Sequence, residues 1–424
     1  MIEYLDRIKA YIVSELYYII PTNREKGGSI MKKKLLSIVL STALVASLLA
    51  GCGNNASTTA TTDGATTEAQ GSVIKIGGIG PVTGAAAVYG QAVKNGAQIA
   101  VDEINAAGGI NGAQIEFNFQ DDEHDQEKAV NAYNTLKDWG VQIVMGAVTS
   151  NPSIAVSDKT AADNVFQLTP SGSAVDCVAN DNVFRVCFSD PNQGAASAQY
   201  IGENKLATKV AVIYDSSDVY SSGIYEKFVS EAPNQGIEIV AAEAFTADSN
   251  KDFTVQLQKA KDAGAELVFL PIYYTEASLI LAQAKTANFE TQFFGCDGLD
   301  GILSVENFDT SLAEGVMLLT PFAADAQDDL TVNFVKQYNE KYGETPNQFA
   351  ADAYDAMYII KAACEKASVT ADMDASTICD LLKTAMTEIT VNGLTSEAMT
   401  WTPEGEPNKT PKAVVIENGA YKAK

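Results

Sequence analysis

The sequence alternates between short apolar strands and helices, and it does so twice. In the first round a helical repeat of apolar residues follows the first strand, and a second helix is expected at residues 126–139. The strand segments of this round are residues 73–76, 114–119, 141–146 and 165–168. Those of the second round are residues 209–214, 237–241, 266–270 and 292–295. Because this order makes neighbouring strands parallel, it predicts an α/β fold with two doubly wound, parallel-sheet lobes.

The length of 424 residues leaves room for both lobes and for a remainder that must pack onto them. A helix at residues 349–366 and a strand at 413–416 follow the second round, so we expect several hinge crossings between the lobes. The predicted boundaries assign residues 72–189 and 322–393 to lobe I, and residues 190–321 and 394–424 to lobe II. Ligands of parallel sheets bind beyond the carboxyl ends of the strands, and we expect the site there.

Targeting signals occupy the segment before the first strand. Three lysines follow Met31, and an apolar run then leads to Gly51 and Cys52, which predicts a secretory signal peptide over residues 31–51. The end of this run resembles the bacterial lipobox, in which the cysteine is acylated, so Cys52 is the expected lipidation site. Residues 52–71 are small and polar, and beyond the lipidated cysteine we expect a flexible tether.

Residues 1–30 do not fit a signal peptide, because the basic segment of such a peptide should open the chain. The tripeptide Lys26-Gly27-Gly28 can be encoded by AAA-GGA-GGN, which contains a purine-rich ribosome-binding sequence shortly before the Met31 codon. We therefore expect residues 1–30 to be an untranslated upstream extension and Met31 to be the initiator. A genuine N-terminal extension is the alternative.

Charge and residue types argue against several functions. The net charge of −25 opposes binding to nucleic acid and to anionic lipid. His124 is the only histidine, which excludes a multi-histidine metal site, and no metal or cofactor is predicted. The glycine-rich residues 78–84 depart from a dinucleotide fingerprint, and the sequence has neither a Walker A motif nor a nucleophile elbow. We therefore do not expect an enzyme.

Small hydroxyl residues crowd two predicted strand ends, at residues 149–152 and 169–173. Hydroxyls and free backbone N–H groups at such ends can hold a carboxylate through several hydrogen bonds. The alternative is a pair of ordinary loops that cap helices, which Ser, Thr and Asn do in many proteins. The residues alone leave both interpretations open.

Eight short segments, taken together, carry a family resemblance. They are residues 80–84 with 89–90, 106–112, 121–122, 146–152, 169–173, 273–274, 295–298 and 353–356. In this order, from residue 73 to about residue 416, they resemble the periplasmic binding protein type 1 superfamily. Within it, the sequence is similar to the branched-chain amino acid-binding lipoproteins of ABC importers.

The resemblance implies a role for each matching side chain. Ser150, Ser171 and Ser173 would hold the α-carboxylate of an amino acid. Asp297, where the family often has Glu, would meet its ammonium group. The aromatic residues that would wall the pocket are Tyr89, Tyr220, Tyr273 and Phe349, with Tyr274 as the alternative to Tyr273.

The resemblance also implies a function. It describes a monomeric extracytoplasmic receptor, lipid-anchored to the bacterial cell membrane, that delivers a small amino acid to the permease subunits of an ABC importer. A branched-chain aliphatic amino acid is favoured. The alternative is a sensory module of the same fold that signals instead of importing. Such modules are normally fused to a membrane span and an output domain, whereas the one long hydrophobic run here is the signal peptide.

The remaining candidates are cysteines and the single histidine. Cys177 and Cys187 either form a disulfide outside the cytoplasm or are free buried thiols, and the same alternatives apply to Cys364 and Cys379. The resemblance places His124 and Thr149 where some family members have a disulfide. We therefore expect His124 to be a surface residue and not a ligand.

Overall fold

The computed structural model describes residues 72–424, and the predictions for residues 1–30, 31–51 and 52–71, Cys52 included, lie outside this range. The first lobe contains strands β1 (Val73–Gly80), β2 (Gln114–Asp121), β3 (Ile143–Met145), β4 (Phe166–Thr169) and β5 (Val183–Arg185). Its connecting helices are α1 (Ala87–Ala106), α2 (Gln126–Trp139) and α3 (Ser150–Asp163). The strands are ordered β2-β1-β3-β4-β5, and every neighbouring pair is parallel.

The second lobe begins with helix α4 (Asp190–Glu203), which packs on α5 (Val219–Glu231). Its other helices are α6 (Thr254–Asp262) and α7 (Tyr274–Thr286). Its strands are β6 (Lys209–Asp215), β7 (Glu238–Phe245), β8 (Leu267–Leu270), β9 (Gln292–Gly295), β10 (Met317–Thr320), β11 (Lys412–Glu417) and β12 (Ala420–Ala423). The order is β12-β11-β10-β9-β8-β6-β7.

Two parallel-dominated sheets with interleaved helices confirm the predicted α/β class. The second sheet departs from the prediction at one edge, where β11 runs antiparallel to both β10 and β12. The turn of the added hairpin contains Asn418 and Gly419, both in the left-handed backbone region that such turns require. The remaining described helices are α8 (Asp329–Tyr342), α9 (Gln348–Lys366) and α10 (Ala375–Met386).

The predicted boundary between the lobes at residues 393 and 394 is too early. Helices α8 and α9 pack on α1 of the first lobe. The segment after them also stays there, because Leu394 N–H donates to Asp355 of α9 and Trp401 Nε1 donates to the Arg185 carbonyl of β5. The chain crosses to the second lobe only between Lys409 and β11. The predicted boundary missed this, because the side-chain contacts of residues 394–409 could not be inferred from the sequence.

Close packing of α1 against α9 brings two predicted site residues together. A Cβ on Gly96 would lie 2.0 Å from the Ala350 carbonyl oxygen, so only glycine allows the two helices to approach this closely. Tyr89 and Phe349 stand near the first turns of these helices, and their ring centroids are 4.2 Å apart. The helix pair therefore positions one wall of the site. Among residues 72–424, no helix is long and apolar enough to cross a membrane.

Candidate ligand-binding site

The structure brings all eight predicted binding residues around one small cavity between the lobes. Val148, Thr149 and Gly298 also line it, although the sequence analysis assigned them no binding role. The predicted residues at the cavity are Tyr89, Ser150, Ser171, Ser173, Tyr220, Tyr273, Asp297 and Phe349. That these side chains bind a ligand stays a prediction.

Hydroxyl and N–H groups form the first-lobe end of the cavity. Ser150 begins α3, and its Oγ accepts hydrogen bonds from the N–H groups of Ser173 at 3.3 Å and Ala174 at 3.2 Å. Ser171 Oγ donates to the Val148 carbonyl at 2.6 Å. The buried hydroxyl of Ser173 has no hydrogen-bond partner among residues 72–424. Polar groups are thus available here for an anion.

A single carboxylate faces them from the second lobe. Asp297 lies two residues after the end of β9 and is 3% exposed. Tyr220 donates its hydroxyl hydrogen to Asp297 Oδ1 at 2.7 Å, and the Asp297 N–H donates to Gln193 Oε1 at 3.2 Å. Burial raises the pKa of the Asp297 carboxyl to about 7. A ligand ammonium would supply the positive partner that this buried carboxyl lacks.

Local capping explains why Tyr220 reaches Asp297. Asp218 caps helix α5 by accepting hydrogen bonds from the N–H groups of Tyr220 and Ser221, which starts the helix next to the cleft. The Tyr220 ring then stacks on Tyr273 with centroids 4.8 Å apart. Asn347 caps α9 in the same way, by accepting a hydrogen bond from the N–H of Ala350, one residue after Phe349.

The structure decides between the two neighbouring tyrosines after β8. Tyr273 lines the cavity and lies edge-on to Tyr89, with ring centroids 5.7 Å apart. Tyr274 lies behind the cavity, where its hydroxyl oxygen accepts a hydrogen bond from Val88 N–H at 3.2 Å. Of the two alternatives, Tyr273 is therefore the one that lines the cavity, and its contact with a ligand stays a prediction.

The cleft is closed around the cavity. Tyr89 of the first lobe donates to the Gly298 carbonyl of the second at 2.5 Å, and Thr275 donates to the Ala85 carbonyl at 2.9 Å. The enclosed volume is about 10 Å³, close to the space that one water molecule needs. An amino acid can enter only if the lobes separate or the lining side chains move.

His124 is not the surface residue that was predicted. It is half-buried, and its Nδ1 lies 2.8 Å from Thr149 Oγ1. Its ring stands edge-on to that of Tyr273 of the second lobe, with ring centroids 5.4 Å apart. Burial lowers the pKa of the His124 imidazole. The physical reason for the difference is the closed cleft, which covers the His124 loop with the opposite lobe. A cavity of about 280 Å³ lies beside it, on the outer side of Tyr273.

The four cysteines that could have formed disulfides are thiols in this structure. Cys177, Cys187, Cys364 and Cys379 are all free and buried, so the Cys177–Cys187 disulfide that the sequence left open is not present. Cys177 instead donates from Sγ to the Ser150 carbonyl at 3.6 Å. Within residues 72–424, no group of three or more His, Cys, Asp or Glu side chains is arranged to hold a metal ion.

Three buried residues next to the cavity were missed by the sequence analysis. Gln193 supports the backbone of Asp297, as described above. Asp190, at the start of α4, is 1% exposed, and neither carboxylate oxygen has a hydrogen-bond partner among residues 72–424. Burial raises the pKa of this carboxyl well above its usual value. The third missed residue is Arg185. It is the only arginine after residue 24, and this rarity was the sequence signal that could have drawn attention to it.

Two lobes that close over a small cavity with polar ends and aromatic walls define a ligand-binding receptor of the clamp type. Comparison with known families places the chain more narrowly. The family model described as periplasmic binding protein matches residues 73–420. The chain belongs to the periplasmic binding protein family.

Individual relatives agree with this assignment. The chain is 33% identical over 304 residues to the Leu/Ile/Val-binding protein homolog 3 of Brucella melitensis, covering 71% of this chain and 81% of that protein. It is 32% identical over 296 residues to the leucine-, isoleucine-, valine-, threonine-, and alanine-binding protein of Pseudomonas aeruginosa, covering 69% and 78%.

Two solved structures agree with the family assignment. The branched-chain amino acid transporter substrate binding protein LivJ of Streptococcus pneumoniae, in complex with isoleucine, superposes with a TM-score of 0.75 at 30% identity. The match covers 83% of this chain and 98% of that one. The leucine binding protein LivK of Thermotoga maritima superposes with a TM-score of 0.73 at 26% identity, covering 83% and 97%.

Proposed function

We propose that this protein is the extracytoplasmic receptor of an ABC importer and that it captures a small amino acid, with branched-chain aliphatic side chains favoured. The observation that carries the proposal is the polarity of the cavity. The polar side chains of Ser150, Ser171 and Ser173 stand on one lobe, and the carboxylate of Asp297 stands on the other. This arrangement complements the two charged groups of a free amino acid.

The walls of the cavity support the choice of side chain. Tyr89, Tyr220, Tyr273 and Phe349 present large apolar surfaces, and no basic side chain among residues 72–424 lines the cavity. An aliphatic side chain would bury its surface against these rings at about 25 cal/mol per Å². The relatives named for Leu, Ile and Val binding support the same ligand class. They also favour import over the sensory alternative.

Binding is expected to be saturable and without chemical conversion. Among the twenty standard amino acids, isoleucine, leucine or valine should raise the free energy of unfolding of residues 72–424 by about 2.7 kcal/mol at a concentration 100 times its dissociation constant. Thermal unfolding identifies the ligand and calorimetry measures its affinity, while chromatography checks that it is recovered unchanged. If none of the amino acids stabilises the protein, the proposed function is wrong. A ligand that is consumed would reveal an enzyme.

We further propose that the mature protein is a monomer tethered through acylated Cys52. Two or more acyl chains, at about 0.8 kcal/mol per buried CH₂, hold a protein stably on a membrane. Replacing Cys52 with Ser is expected to release the protein or to leave the signal peptide uncleaved, which fractionation and intact-mass measurement detect. A Cys52→Ser protein that stays in the membrane fraction with unchanged mass contradicts this proposal.

Closure of the cleft is expected to depend on pH. Burial raises the pKa of Asp297 to about 7 and that of Asp218 to about 6 in the closed structure, from an ordinary value of 3.8. Both carboxyls therefore bind protons more tightly in the closed state than in an open state with solvated carboxyls, and together they outweigh the opposing effect of His124, whose pKa burial lowers, so lowering the pH favours closure. Small-angle scattering of the ligand-free protein should show a smaller radius of gyration at about pH 5 than at about pH 8. At the higher pH, a bound amino acid should produce the same decrease. A radius that stays constant under both changes argues against a two-lobe clamp.

A further inference from the structure

The guanidinium group of Arg185 lies behind the anion-binding end of the cavity and is enclosed by four consecutive carbonyl groups. Its Nη1 donates to the carbonyl oxygens of Gly172, at 3.2 Å, and Ser173. Its Nη2 donates to those of Ala174, at 2.9 Å, and Val175, at 3.4 Å. The side chain is fully buried. One cation therefore determines the direction of four successive peptide groups.

The orientation of these carbonyls dictates where the N–H groups point. In a planar trans peptide the C=O of one residue and the N–H of the next are antiparallel. The Gly172 and Ser173 carbonyls face Arg185, so the N–H groups of Ser173 and Ala174 face the opposite way, toward the cavity. There both donate to Ser150 Oγ, at 3.3 and 3.2 Å.

These two bonds constrain the Ser150 hydroxyl. A serine hydroxyl has two acceptor lone pairs and one donor hydrogen. Both acceptor positions of Ser150 Oγ are used by the N–H groups of Ser173 and Ala174. The hydroxyl hydrogen remains free to donate, and Ser150 lines the cavity. A group in the cavity thus meets Ser150 as a donor, which suits an anion and not an ammonium group.

Arg185 is itself held in place by the segment before the last crossing between the lobes. Its backbone N–H donates to the Gly405 carbonyl at 3.1 Å, and its carbonyl accepts from Trp401 Nε1 at 2.8 Å. Glu406 Oε1 lies 3.2 Å from Nη2. The planar fork of arginine can serve several carbonyls at once, whereas lysine offers a compact point charge.

We propose that Arg185 is a positioning residue for the carboxylate of the bound amino acid and that it acts through Ser150. It orients residues 172–175 so that the N–H groups of Ser173 and Ala174 occupy the lone pairs of Ser150, which directs the Ser150 hydroxyl hydrogen at the carboxylate. The inference rests on the proposed function, since it assumes that an amino acid binds with its carboxylate at this end.

The test is a double-mutant cycle on isoleucine binding, measured by calorimetry. Ser150→Ala and Arg185→Lys should each weaken binding about ten- to a hundredfold, the effect of losing a hydrogen bond to a charged group. Because both changes remove the same donor, the double variant should bind less than about threefold more weakly than Ser150→Ala alone. Effects that multiply, or an Arg185→Lys protein with wild-type affinity, overturn the inference.

Lys409→Met provides the matched control. Lys409 is another buried cation, and it donates to the Val186 carbonyl, one residue after Arg185, without contacting residues 172–175. This variant should lose stability yet bind isoleucine within about threefold of the wild type, which separates positioning from general destabilisation.

If wild-type protein binds no amino acid, the proposed function fails before this inference is reached. If Arg185→Lys does not fold, Glu406→Gln replaces it, because this change removes the ion pair that holds Nη2. It should weaken isoleucine binding in the wild-type background but not in the Ser150→Ala background, and an equal weakening in both backgrounds overturns the inference.

Discussion

Replacing Asp297 with alanine is expected to weaken amino acid binding by about 30-fold to a few thousand-fold, which corresponds to about 2–5 kcal/mol. Asp297 is 3% exposed, and Tyr220 and Gln193 are its described hydrogen-bond partners. Since no basic side chain of the described residues lines the cavity, the ligand ammonium would be the positive charge that meets Asp297 there. Removing the carboxylate leaves that ammonium buried without a counter-charge, and most of the loss comes from this desolvation.

Two further variants separate charge from shape, and calorimetry measures all three. Asp297→Asn keeps the shape of the side chain and should lose most of the same free energy, because the charge is what the ammonium requires. Asp297→Glu retains the charge one methylene further out and should weaken binding less than the other two changes. A residue outside the site would change affinity by less than about 0.5 kcal/mol in all three variants. Wild-type affinity in Asp297→Ala would contradict the role of this residue and much of the argument for an α-amino acid.

The sequence predicts local structure best where caps and periodicity agree. Helix α2 begins at Gln126 and ends at Trp139, as predicted, because Asp125 caps its start and Gly140 ends it in the left-handed region. Strand β10 was not predicted, since three apolar residues followed by a threonine have no periodicity that separates a strand from a buried loop. The β11–β12 hairpin had a signal, the Asn418-Gly419 pair, that the sequence analysis did not use.

The site was predictable to the extent that it lies at strand ends. Ser171 and Ser173 follow β4 and Asp297 follows β9, and parallel sheets gather such positions at one edge. The contacts of Arg185 were not predictable, because they depend on the backbone orientation of residues 172–175 and on a segment more than two hundred positions away in the sequence. His124 was misjudged for a similar reason, since its burial comes from the opposite lobe.

Breaking the ion pair of Lys409 and Asp352 is expected to lower the free energy of unfolding by about 3–5 kcal/mol. Lys409 Nζ lies 2.7 Å from Asp352 Oδ1, and both side chains are fully buried. Lys409 also donates to the Val186 carbonyl at 3.0 Å, which ties the last crossing segment to the first. In Lys409→Met the Asp352 carboxyl remains buried without its cation, and urea unfolding measures the resulting loss.

The pH dependence and a matched pair of controls test the cause of that loss. Burial already raises the pKa of Asp352 to about 6 beside Lys409, and without the lysine the pKa should rise further. A raised carboxyl pKa in the folded state destabilises the fold as pH increases, so the stability deficit of Lys409→Met should be smaller at about pH 5 than at about pH 8.

Adding Asp352→Leu to Lys409→Met removes the unpaired acid and should recover most of the stability. Lys341→Met breaks the exposed pair with Asp102, at 2.6 Å, and should cost less than about 1 kcal/mol. Equal losses for the buried and exposed pairs would show that burial is not what makes Lys409 matter.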